Sequence, residues 1–104
     1  MGDGVAGSRV KRASPKIEEA EALALRAVAF LAERPQEFLR FADICGLGVD
    51  AIKARLADPA LLGAVLDYVL ASEAMVLDFA TAAEVDPEAP RRARALLPRA
   101  PAPD

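Results

Sequence analysis

A chain of 104 residues allows one domain and not two, and a hydrophobic share of 54 % excludes a disordered chain. Aromatic residues make up only 5 %, Trp is absent, and runs rich in Ile, Val, Thr and Tyr are missing, which excludes a sheet as the main architecture. Net charge is −3, distributed as +3 over residues 1–16, −7 over 17–84 and +1 over 85–104, so an acidic body argues against a nucleic-acid surface there.

Residues 1–13 hold three Gly, scattered charge and no helical period, and read as a mobile arm. They contain no apolar run of the secretory kind. Ser14-Pro15 then supplies an N-cap and a first-turn proline for a helix over 15–33. Ile17, Ala20, Ala24, Ala27, Val28 and Leu31 form its apolar face, with Arg26, Glu19 and Glu33 opposite. Pro35 ends that helix, because a residue before proline is pushed out of the α region. A second helix over 36–45 should bury Phe38, Leu39, Phe41, Ala42 and Cys45, with Gly46 as its C′ residue. A short third helix over 50–57 would turn Ile52 and Leu56 inward.

Asp58-Pro59 repeats the cap-and-proline device and opens the central helix, 59–70, which is apolar nearly all round. At twelve residues it is too short to cross a bilayer, which needs about 20. Gly63 within it predicts close approach of another backbone, and Asp67 its one solvent edge or an ion pair with an arginine such as Arg26. Ser72 caps a fifth helix over 73–84 that buries Met75, Val76, Phe79 and Ala83. Asp86-Pro87 opens a sixth, 87–97, with Arg91, Arg92 and Arg94 outside and Leu96-Leu97 inside; Pro90 weakens it. Residues 98–104 read as an extended, proline-rich tail.

The chain also matches itself at an offset of 38. Leu23 meets Leu61, Phe30 meets Tyr68, Leu31 meets Val69, and Phe41-Ala42 meets Phe79-Ala80. Either two helical units are duplicated, or a Leu/Ala-rich chain has matched itself by chance.

Little in the sequence carries chemistry. Histidine is absent, which removes the commonest general base and zinc ligand. No phosphate-binding loop, dinucleotide fingerprint or nucleophile elbow occurs. Cys45 is the only cysteine, so no intrachain disulfide forms; this fits a cytoplasmic setting, and the thiol reads as a small buried apolar group. Glu18, Glu19 and Glu21 read as first-turn acids serving the helix dipole and not as metal ligands. An enzyme would need Asp67 or Asp78 inside a pocket. Residues 42–56 have helix-turn-helix spacing in Ala42, Gly46 and Ile52, but they offer only Lys53 and Arg55 beside Asp50.

Glu21-Ala-Leu-Ala-Leu-Arg-Ala-Val-Ala-Phe-Leu-Ala, Ala57-Asp-Pro-Ala-Leu-Leu-Gly-Ala-Val-Leu-Asp-Tyr-Val-Leu and Phe79-Ala-x-Ala-Ala-x-Val-Asp-Pro resemble a bacterial family of short all-helical proteins of unknown function. The resemblance runs from Ile17 to Leu97 and departs at Pro90, where an aliphatic residue is more usual. It implies an all-α fold and a bacterial, mainly alphaproteobacterial, source, and it transfers no catalytic residues. The expectation is therefore one all-α bundle of five or six short helices over 14–97, open to division into two quasi-repeated three-helix units. No catalytic, cofactor-binding or metal-binding residue is assigned, and no membrane or small-molecule partner is evident. The function expected is a non-enzymatic module for a protein partner or a second copy; the alternative is DNA binding through residues 42–56.

Overall fold

Pro15 opens the first of six helices in the computed structural model, which describes residues 15–98. The arm over 1–13, the Ser14 cap and the tail beyond Pro98 lie outside the described residues. The helices are α1 (Pro15–Ala32), α2 (Pro35–Cys45), α3 (Val49–Ala54), α4 (Pro59–Leu70), α5 (Glu73–Ala83) and α6 (Ala89–Ala95). No strand occurs among the described residues.

The boundaries follow local chemistry. Asp58 is an extended N-cap whose carboxylate accepts from the Ala60 N–H at 2.9 Å. Ser72 does the same for Met75 N–H at 3.2 Å. Arg34 precedes Pro35 without a side-chain cap; instead its guanidinium lies 3.7 Å from the Phe30 ring centre and donates to the Phe30 carbonyl at 3.1 Å. Two helices are shorter than expected. The third stops at Ala54, because Arg55–Ala57 turn to deliver Asp58, whose N–H bonds the Arg55 carbonyl at 2.9 Å. The sixth starts at Ala89 and not at 87, because Asp86 closes a local turn by accepting from the Glu88 N–H at 2.8 Å. Pro90 thus sits in the first turn, where its missing N–H costs nothing, and it is fully buried. It initiates the helix it was expected to weaken.

The central position of α4 is confirmed. Leu61, Leu62, Val65, Leu66 and Val69 are all buried, and α1, α2, α5 and α6 pack around them. Gly63 provides the expected close approach. A Cβ there would stand 3.1 Å from the Pro98 carbonyl oxygen and 3.1 Å from Arg94 Nη1. Asp67 marks a solvent edge, as expected, but its partner is Arg94 and not Arg26: Arg94 Nε donates to Asp67 Oδ1 at 2.7 Å. Arg94 Nη1 also donates to the Leu97 carbonyl at 2.9 Å, so one guanidinium ties the end of α6 onto α4. Leu39 corrects the reading of α2, since it is exposed and not buried.

The 38-residue offset appears in the geometry. Shifted by 38, α2 falls on α5 end to end, and the last twelve residues of α1 fall on α4. Both α2 and α5 end in a left-handed residue, Gly46 (φ 70°) and Glu84 (φ 59°). Leu47 N–H bonds the Ala42 carbonyl at 3.1 Å, and Val85 N–H bonds the equivalent Ala80 carbonyl at 2.9 Å. Phe30 meets Phe79 edge-on at 5.4 Å and 66° between planes; Phe41 meets Tyr68 at 5.6 Å and 66°. The offset carries Phe30 to Tyr68 and Phe41 to Phe79, so exchanging the units interchanges the two ring pairs. That is the behaviour of a pseudo-two-fold axis. The symmetry fails at the third helix: α6 packs heavily on both α1 and α4, whereas α3 leans mainly on α2.

Candidate functional site

The asymmetry of α6 leaves a groove of about 840 Å³ between α1 and α6. Ala20, Leu23 and Ala93, all buried side chains, form its floor, and Leu96 stands at its edge with 40 % of its surface exposed. The reading of Leu96-Leu97 as an inward pair is therefore half corrected: Leu97 is buried in the core and Leu96 faces the groove. Five of its twelve lining residues are Ala, whose small side chains let α1 and α6 approach closely.

Charge lies on the rim. Lys16 and Arg26 from α1 and Arg92 from α6 line the groove, against Glu19 alone. Lys16, Arg92 and Glu19 are exposed, and among the described residues they make no ion pair. Arg26 is held in place: its Nη1 donates to the Ala83 carbonyl at 3.2 Å, closing the last turn of α5. It also separates the groove from a smaller hollow of about 190 Å³ beside Phe30 and Phe79.

The residues singled out in the sequence are not brought together. Asp67 and Asp78 are exposed and line neither hollow. Cys45 is half-buried, and burial pushes its thiol above the ordinary range, away from a reactive thiolate. Among the described residues no three acidic, Cys or His side chains are grouped to hold a metal ion. Gly46 and Ile52 take the left-handed and buried positions that helix-turn-helix spacing asks for. Yet the same turn recurs after α5, so the repeat accounts for it without DNA. The following helix, α3, has only six residues, with Asp50, Lys53 and Arg55 exposed on or just beyond it. No single helix is long and apolar enough to cross a membrane; α4 and α5 reach that length and composition only together, across a 115° bend.

Sequence reasoning missed the groove, because Lys16, Leu23 and Arg92 become neighbours only once α6 docks on α1. The one local signal was the run of Ala on α1, which is too short to support a helical face alone.

The molecule defined by these features is a small all-α bundle with quasi-two-fold symmetry and one open apolar groove. It belongs to a family described as proteins of unknown function, DUF3572, whose model matches residues 17–100. No curated protein and no solved structure matches it.

Proposed function

We propose that the protein is a non-enzymatic interaction module that receives an apolar helical face in the groove between α1 and α6. The supporting observation is the groove itself: about 840 Å³ over an apolar floor of Ala20, Leu23 and Ala93, bordered by charge. Photocrosslinking tests it. A benzophenone amino acid placed at Leu96, and separately at Asp50, is carried by the full chain in the cells that make it. Adducts from position 96 and none from position 50 are expected; no adduct from position 96 would count against docking there. The same reading takes the protein as bacterial and cytoplasmic, on the resemblance and the single cysteine.

A second reading, DNA binding through residues 42–56, draws on Gly46 and the buried Ile52. It predicts retardation of duplex DNA at low salt that Lys53→Ala with Arg55→Ala abolishes.

A further inference from the structure

We infer that the groove between α1 and α6 takes an acidic amphipathic helix from a partner protein. This rests on the docking reading above and deepens it by fixing the chemistry of the occupant. The argument is charge complementarity. Residues 15–98, with nine bases against fourteen acids, carry −5, yet the groove on that body is edged by Lys16, Arg26 and Arg92 against one carboxylate, Glu19. It is a positive island with an apolar floor. A basic segment would meet three cations there, which disfavours the chain's own residues 1–14, where Arg9, Lys11 and Arg12 face only Asp3. An occupant with apolar residues on one face and Asp or Glu on its flanks satisfies both floor and rim. The lining along α1 runs from Lys16 to Arg26, about 15 Å of helix, which fits about three turns of a partner helix. Ala20 and Ala93 at the floor let that helix come close, and Leu96 gives it an edge to pack against.

The test uses the full chain and fluorescein-labelled synthetic peptides of about 14 residues. One peptide has a Leu face flanked by Glu, one has Lys in place of every Glu, and one scrambles the Glu peptide so that charge stays and the face is lost. Anisotropy titrations at low and moderate salt are expected to show the Glu peptide binding about tenfold or more tightly than either of the others, with binding weakened by salt. Arg92→Glu, at an exposed position, should weaken the Glu peptide by about five- to tenfold and strengthen the Lys peptide. Leu96→Gln should weaken both. Equal binding of Glu and Lys peptides, unmoved by Arg92→Glu, overturns the acidic partner while leaving apolar docking in place. Binding of the scrambled peptide as tight as the Glu peptide overturns it as well, since charge alone would suffice. Failure of any peptide to bind, with no adduct from the crosslinker at position 96, overturns the docking reading itself. A solution mass of two chains that Arg92→Glu reduces to one makes the occupant a second copy and overturns the separate partner.

Discussion

Glu84 holds a left-handed backbone that its counterpart Gly46 adopts freely. An L-residue with a Cβ is disfavoured there by roughly 1–2 kcal/mol, and glycine is not. Glu84→Gly is therefore expected to stabilise the protein by about 0.5–1 kcal/mol, seen as a higher urea midpoint at unchanged slope. A lower midpoint would mean that the Glu84 side chain contributes more than its backbone costs. Tyr68 presents a different case. Its hydroxyl donates to Glu37 Oε1 at 2.6 Å, and its pKa is raised by partial burial first and by the Glu37 bond and charge second. A phenol whose pKa is higher folded than unfolded stabilises fully below the unfolded value near 10 and loses that contribution as pH climbs through the folded value. Cys45, also raised, acts in the same direction from a lower starting point. The urea midpoint should thus fall on the alkaline side, and Tyr68→Phe should make that fall shallower. An identical alkaline fall in the variant would remove Tyr68 as its source.

At the scale of the element, Leu66 is fully buried in the middle of α4, with four helices around it. Leu66→Ala should cost about 2–5 kcal/mol, a large part of what a domain of this size has. Melting within a degree or two of wild type would show that α4 is not the centre. Helix starts were legible wherever the signal was local: Pro35, Asp58-Pro59 and Ser72 each supply a cap or a fixed φ that no distant contact overrides. The start of α6 was not, because Pro87 and Pro90 both fit a first turn. The choice between them comes from burying Pro90 against the bundle, a tertiary fact. Asp67 was legible as an edge or as half of a pair with an arginine, but not with which arginine, since Arg94 reaches it only after α6 folds back. The aromatic register of the two units was legible as residue matches, but whether they were related by exchange or by simple stacking could come only from which ring touched which.

For the whole molecule, the pseudo-two-fold relation unites α1, α2, α4 and α5, and the placement of α6 breaks it. A third helix set down as α3 is would leave α1 and α4 more open; a third helix set down as α6 is covers them and leaves one groove. That groove was illegible in sequence because its floor joins Leu23 to Ala93, near opposite ends of the described chain. The same closure sets an order of events in time. Contacts between α1 and α6 require the largest loop to close, so they should form late, after the α1–α2 and α4–α5 pairs. Leu97→Ala, in the last buried position of the described residues, is expected to raise the unfolding rate while leaving the folding rate nearly unchanged, read from the two arms of a chevron plot. A slowed folding arm would put α6 in the nucleus instead. With late docking, a chain still being synthesised carries the apolar side of α1 and α4 uncovered until residue 97 has been added and released. During that interval Leu23 and the Gly63 face of α4 lie open to any holdase or neighbouring nascent chain, until α6 arrives and Arg94 clamps it down.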